Sequence, residues 1–421
     1  MVKNWKKNRL IYPTLLQSAN DIETYSWFDI KERLNEDNKT KSKKNEHDYT
    51  CIQTLKIIIY PTDEQKEILN KWCDDSIDVY NLTNKYIKEN LLPDKSNFKT
   101  LVNFKNLRTN ILIDQVKEIC ARNSLLKHTA DMATKHCVTM YKSAQSNLEN
   151  GHIKNYNIRD MEKTRRRKNI GIEPKYVSEK MNGICVTALG EMKSNIPLHN
   201  IKRTSILQYD TLKNTYVIIV PFDRNGHIEM ERYNKCGIDI GVRTFMTVYS
   251  PEQTYEIGTD TYPVIDKYLK KLDSINSNKE RLEKKKYTLT YEKYQNKLNN
   301  KIKDLHNKSA QFLLGKYRRI VIGKVSISNM ISNKNNTLSD MTKRRLLALS
   351  HFRFRMKLKE MSKKYKTKII EVSENLTSKT CCNCGNIKRD LGGNKVYDCN
   401  NCGMRLDRDI NAAINIYHKK E

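Results

Sequence analysis

The chain has 421 residues, with 78 Lys and Arg against 48 Asp and Glu for a formal charge of +30, and 38% of its residues are hydrophobic. That apolar fraction can fill the cores of about two to four domains and excludes wholesale disorder. No apolar run of about 18 residues is present, and MVKNWKKNRL has no secretory apolar segment, so a soluble intracellular protein is expected, with no membrane partner. A charge this large repels itself unless a polyanion neutralises it, which points to nucleic acid or, alternatively, to an acidic membrane surface.

Residues 1–48 are polar and end in KTKSKKNEH; they read as a basic N-terminal arm suited to an RNA surface, an import signal or plain solvation. From Thr50, TCIQTLKIIIY reads as a strand closed by Pro61, and DEQKEILNKWCDDSIDVYNLTNKYIKEN then carries apolar residues at helical spacing after an Asp N-cap. A helical region over 63–150 follows. The basic cluster KTRRRK, with Arg165, Arg166, Arg167 and Lys168, precedes GICVTALG and TSILQYDTLKNTYVIIVPFD, which read as strands. Strands from 49–62 and 151–232 are expected to close one small barrel around the inserted helices. From 233 onward the order is strand (KCGIDIGVRTFMTVYS), strand (TYEIG), a long basic helical stretch (270–314), strand (RRIVIGKVSI), helix (338–364), strand (TKIIEVS), a cysteine module and a last helix. That order suits a mixed α/β domain resembling ribonuclease H over 233–376 and 404–421, with the cysteine module inserted at 377–403. The basic helical stretch is either a solvated helix pair or a phosphate-contacting one.

Of the 11 cysteines, Cys51, Cys73, Cys120, Cys137, Cys185 and Cys236 are scattered and five crowd between 381 and 402, which points to a metal and not to a disulfide framework. Cys381 and Cys384, then Cys399 and Cys402, form two C-x2-C knuckles, each followed by a glycine (Gly385, Gly403) that lets the backbone turn its N–H groups toward the thiolates. Four thiolates at this spacing suit tetrahedral zinc in a structural role, because no coordination position is left for a reacting water. Cys382 lies inside the first knuckle as a rival ligand, but only Cys381 gives the two-residue gap.

Asp239, in CGIDIGVRTF, is an acid inside an apolar strand, where a carboxylate needs a partner and a divalent metal is one candidate. Asp409, in LDRDINAAINIY, opens the last helix and precedes Ala412 and Ala413, small enough for close packing on a sheet. Asp407 reads as an ordinary helix-start acid. Two separated acids entering one sheet suit two-metal hydrolysis of a phosphodiester.

TLKIIIYPTDEQKEIL, GIDIGVRTF, DLHNKSAQFLL, LTSKTCCNCG with YDCNNCG, and DRDINAAINI resemble, in this order, TnpB proteins, their eukaryotic and viral Fanzor relatives and, more distantly, type V CRISPR effectors. The resemblance runs from about residue 50 to the C-terminus and is weakest in the helical insert. It implies an α+β multidomain protein: a wedge-like β-barrel, a helical recognition domain, and a RuvC nuclease domain with an inserted zinc ribbon. It also implies a guide RNA from the element's own end, two Mg2+ ions, cleavage of target DNA beside a short adjacent motif, a monomeric ribonucleoprotein, and the nucleus of a eukaryotic host. In TnpB the third carboxylate is a Glu ending the strand RIVIGK, where this chain has Gly323. Fanzor proteins resemble this chain in lacking it and carrying a Glu just before TSKTC, the place of Glu374. The resemblance thus implies Asp239, Glu374 and Asp409 as catalytic, with Glu371 the rival donor on the opposite strand face. The four basic residues at 165–168 are candidate RNA contacts. The alternatives are a guide-dependent DNA-binding protein that does not cut, repressor-like, for which Gly323 speaks, and a transposase proper.

Overall fold

The structure, a computed structural model, describes residues 22–25, 50–92, 98–225, 230–324, 327–332 and 338–419. The basic arm thus lies outside the described residues except for Ile22–Tyr25, which form β1. The chain divides into two compact units, one of them Thr50–Arg224.

In that unit β2 (Thr50–Tyr60), β3 (Arg167–Ile172), β4 (Val177–Ser178), β5 (Gly183–Ile184), β6 (Lys193–Ser194), β7 (Ser205–Asp210) and β8 (Thr215–Asn225) accompany α1 (Asp63–Tyr86), α2 (Ile113–Arg122) and α3 (Lys127–Glu149). Five strands form one sheet in the order β3-β7-β8-β2-β6. Trp72 and Tyr80 of α1, Tyr141 of α3, Ile57 and Ile59 of β2 and Leu207 of β7 share one apolar core, so helices and sheet fold against each other. The cap of α1 differs from the expected Asp63. Thr62 is the N-cap, and it exchanges hydrogen bonds with Gln65 in a capping box, because T-D-E-Q offers both donors a partner where Asp63 alone offers one. VTAL is a helical turn, not a strand: Cys185 and Gly190 on either side take positive φ of 49° and 68°, which breaks an extended run.

The second unit begins at Asn225 and includes β1. It holds β9 (Tyr233–Ile240), β10 (Met246–Tyr249), β11 (Thr254–Ile257), α4 (Thr261–Ser277), α5 (Lys284–Lys316), β12 (Tyr317–Gly323), α6 (Asp340–Leu349), α7 (His351–Ser362), β13 (Lys368–Val372), β14 (Val396–Asp398), β15 (Arg405–Asp407) and α8 (Arg408–His418). KCGIDIGVRTFMTVYS is an antiparallel pair, β9 and β10, turned between Gly241 and Phe245. The expected helix over 338–364 is two helices, divided where Ser350 takes φ of 49°.

The six-stranded sheet runs β1-β11-β10-β9-β12-β13. β9, β10 and β11 are antiparallel, whereas β9, β12 and β13 run parallel, as strands joined through helical crossovers must. Residue parity then assigns the faces. Cys236, Ile238, Ile240, Ile320 and Ile322 pack under α5 and α7, together with Leu305, Phe354 and Leu358. Gly237, Asp239, Val321 and Gly323 alternate with them and face the α8 side, where Ile416 meets Val321 and Val372. A Cβ on Gly237 would lie 2.5 Å from the Ala413 carbonyl oxygen, so the helix backbone rests on the sheet at that glycine. Among the described residues no helix is long and apolar enough to cross a membrane.

Candidate active site and thiol cluster

Two clusters of potential metal ligands lie in the second unit. The first follows β13. Cys381, Cys384, Cys399 and Cys402 bring their sulfurs within 4.8 Å of one another, with 3.7 Å between Cys381 and Cys402 and 3.5 Å between Cys384 and Cys399. Tetrahedral zinc with Zn–S of about 2.3 Å needs sulfur–sulfur edges of about 3.8 Å, so the residues present fit that ion. Each knuckle closes on a backbone bond, Gly385 N–H to the Cys381 carbonyl and Gly403 N–H to the Cys399 carbonyl, both at 2.9 Å. Both glycines take left-handed φ, 77° and 68°, which a side chain would strain. The Cys382 sulfur lies 3.7 Å from Met404 Sδ, outside the set of four.

The second cluster lies on the α8 side of the sheet. Asp239 sits at the end of β9, Asp409 in the first turn of α8, and Glu374 two residues past the end of β13. β12 and β13 pair in parallel with Gly323 opposite Val372, so the chain leaving β13 turns over the end of β12. The Glu374 side chain fills the space above Gly323: a Cβ there would lie 1.9 Å from Glu374 Oε1. That oxygen is buried and has no hydrogen-bond partner. Such a group is costly unless something outside the polypeptide satisfies it, and a divalent cation is one group that would.

The electrostatics tie the three acids together. Burial, then the neighbouring Glu374 and Asp409 charges, push the Asp239 carboxyl well above the usual range. Burial pushes Glu374 up to about 7 against the pull of Arg355 and Lys419. Burial and then Asp407 raise Asp409. Among the described residues only the four thiols bring three or more ligand atoms within 4.8 Å of one another, so the three carboxylates do not all converge to that distance.

Glu371 faces the other way. It pairs with Arg355 at 3.2 Å and Lys359 at 2.8 Å on the α7 side; burial raises its carboxyl, but these cations outweigh burial and hold it below the usual range. Asp407 caps α8, accepting from the Asp409 N–H at 2.8 Å and the Ile410 N–H at 3.4 Å.

Across 98% of its length the chain is 34% identical to a TnpB-like protein of Acanthamoeba polyphaga mimivirus, covering 86% of that relative. The chain belongs to the TnpB-like family. A second TnpB-like protein of the same virus is 34% identical over 96% of the chain and 83% of its own length. Residues 226–334 match the family described as probable transposase, and 351–416 match the Cas12f1-like TNB domain, so both family signatures fall on the second unit. The fold is similar to that of a mini RNA-guided endonuclease, CRISPR-Cas phi3, at a TM-score of 0.50 and 11% identity over 98% of each chain.

In this TnpB-like chain the basic cluster at 165–168 is largely engaged within the protein. Arg166 pairs with Asp210 at 3.0 Å, Lys168 is buried against Asp74 at 2.5 Å, and Arg167 lies 3.6 Å from Asp210 with an exposed side chain. Sequence reasoning missed Glu256. It lies in the same cross-strand row as Asp239, through Thr247, and its burial raises its carboxyl. It missed Arg355 and Lys419 as well, the two cations nearest Glu374 in effect. An acid in a strand is visible in a sequence, but the register that sets it beside another acid is not.

Proposed function

We propose that the protein is an RNA-guided DNA endonuclease with a RuvC-type, ribonuclease-H-like nuclease domain, in which Asp239, Glu374 and Asp409 hold two Mg2+ ions. The observation that carries this reading is the buried, partnerless Glu374 Oε1 over Gly323, beside an Asp239 whose carboxyl feels both other acids. Bound there, Mg2+ supplies the water activation and leaving-oxygen stabilisation of two-metal phosphodiester hydrolysis. The protein's own part is positional: β9 fixes Asp239, α8 fixes Asp409, and the loop after β13 lets Glu374 occupy the volume that a side chain at Gly323 would fill.

The four thiols hold structural zinc, and of Arg165, Arg166, Arg167 and Lys168 the candidate RNA contact is Arg167, the most exposed side chain in the ion pairs this cluster forms, while Lys168 is buried against Asp74. The charge of +30 is neutralised by guide RNA and target DNA in a monomeric ribonucleoprotein. The five-stranded sheet with its helices serves as wedge and recognition region, and the protein acts in the nucleus of a eukaryotic host.

The deciding experiment co-expresses the chain with its element-end RNA and assays cleavage of guide-matched plasmids in Mg2+. Guide-dependent cutting that survives Glu371→Ala and disappears in Glu374→Ala is expected. RNA-dependent binding without cutting by the wild type would replace this reading with the repressor-like one, in which Gly323 marks a lost site.

A further inference from the structure

A glutamate at the end of β12 would be held by the strand ladder, with Val372 of β13 opposite it. Glu374 lies beyond β13, in a segment without strand pairing, so its position must come from elsewhere. It comes from one edge of α8. Asn411, Asn415 and Lys419 follow at four-residue spacing, which stacks them along one helix face. Asn411 donates to the Thr380 carbonyl at 2.8 Å and accepts from the Cys382 N–H at 2.9 Å. Asn415 donates to the carbonyls of Thr377 at 2.8 Å and Thr380 at 2.6 Å. Lys419, just past the helix end, donates to the Ser373 carbonyl and to that of Asn375 at 3.4 Å, the residues on either side of Glu374. Thr377 closes the chain of contacts, its N–H and hydroxyl both donating to the Glu374 carbonyl at 3.1 and 2.8 Å.

We propose that Asn411, Asn415 and Lys419 are positioning residues: a side-chain ladder on α8 that substitutes for strand pairing and fixes Glu374 relative to Asp409, which the same helix carries. The two asparagines are 0% and 1% exposed, so each is a buried amide satisfied by loop backbone, and no solvent can replace a lost bond. The ladder also reaches Cys382, inside the first knuckle, and the core of the thiol module is continuous with α8 through Leu391, Tyr397, Leu406, Ile410 and Ile414. Helix, loop and knuckle therefore move as one body, and the position of Glu374 is set by a helix and not by its own strand.

The inference rests on the metal-binding reading of Glu374, and its test has readouts besides cutting. The RNA-loaded protein is compared as wild type, Asn415→Asp and Lys419→Ala, in three measurements: amide exchange of residues 373–382, the Mn2+ concentration that half-saturates its thermal stabilisation, and zinc content. Asn415→Asp turns a donor facing two carbonyls into an acceptor of the same size. It is expected to speed exchange at Thr377–Cys382 by about tenfold and raise the Mn2+ midpoint by about tenfold, the usual effect of losing a partner that orients a metal ligand. Zinc content and exchange within β9 and β12 stay as in wild type. Lys419→Ala, at the helix end, covers the case in which Asn415→Asp does not fold; it is expected to speed exchange at Ser373–Asn375 and raise the Mn2+ midpoint by about threefold. Exchange and midpoint within twofold of wild type in every folded variant overturn the ladder. A wild type that neither responds to Mn2+ nor cuts sinks the nuclease reading instead, and the exchange measurement still decides the ladder.

Discussion

The thiol cluster and the carboxylate cluster adjoin the same helix and are built on opposite plans. The four sulfurs are gathered on knuckles whose glycines and backbone bonds set their edges at 3.5 and 3.7 Å. The three carboxylates are held apart on three different elements, all pushed toward their neutral forms by burial, one with an oxygen that nothing satisfies. Four protein ligands close a site around zinc and make it part of the fold; three acids spaced across a sheet leave room for ions, water and a phosphate. On the proposed reading, one cluster would add to stability when it holds zinc, whereas the other costs stability as long as its buried acids lack a cation.

Two treatments should break that contrast most visibly. Stripping zinc, or Cys399→Ser, should unfold the thiol module and cost about 3 kcal/mol or more, read as a lower denaturation midpoint with loss of bound zinc. Cys382→Ser, by contrast, should move stability by less than about 0.5 kcal/mol. At the carboxylate cluster the signs separate. Asp239→Asn should abolish cutting, by about a thousandfold or more, yet stabilise the protein in chelator by about 1 kcal/mol, since an amide carries no charge to bury or repel. Chemical denaturation with and without Mg2+ checks this: Mg2+ should stabilise the wild type and leave the variant unchanged. A variant destabilised in chelator would mean that Asp239 is a satisfied structural acid.

How much of this was legible beforehand differs between the clusters for the same reason. Cysteine spacing is local, so Cys381, Cys384, Cys399 and Cys402 could be paired from the sequence, and Gly385 and Gly403 marked the turns. Asp239 and Asp409 stood out by type and context, but what joins them is the parity of β9 and the approach of α8 at Gly237, which no window of sequence holds. Glu374 was reachable only through a resemblance; it lies past the end of β13 and reaches Gly323 from the following loop, whereas Glu371, within the strand, pairs with Lys359 on the α7 side. Splits such as Ser350 in the expected helix, and β1 joining the sheet edge from a polar arm, escaped because one residue's φ and a long-range pairing decide them. The asparagine ladder was invisible: Asn411 and Asn415 look like any polar helix residues until their buried partners are known.

The pairing of Gly323 with Glu374 sharpens the carboxylate side of the comparison. Gly323→Ala puts a Cβ 1.9 Å from Glu374 Oε1, so the carboxylate must swing away. Cutting should fall about a hundredfold with zinc retained, a loss that displacement of a single group by an ångström produces. Gly323→Glu combined with Glu374→Ala moves the acid back to the strand end and should recover part of the activity. Recovery by the double variant, with neither single change active, would show that the two positions serve one ligand place; an inactive double variant would mean that the loop, not the carboxylate alone, completes the site.

A last expected effect lies on the other face of the sheet, away from both clusters. His306 and His351 stack on Phe245 at 5.5 and 5.6 Å between centroids, and His306 Nε2 donates to the Leu349 carbonyl at 2.9 Å. Burial pushes His306 down to about 4 and His351 down to about 3. Above pH 6.5 both rings are neutral, folded or unfolded, and contribute nothing to pH dependence. Below it the unfolded chain takes up two protons that the folded core refuses, so stability falls as pH drops from about 6.5 toward 4, by about 1.4 kcal/mol per pH unit for each ring. The carboxylates act in the opposite sense in chelator: Glu374, raised to about 7, favours the folded state increasingly as pH falls from about 7 to 4.5. His351→Phe keeps the aromatic stack and removes one proton site, so its stability between pH 6 and 4 should decline with a slope shallower by about one proton than the wild type. An unchanged slope would mean that His351 already carries its proton in the folded core.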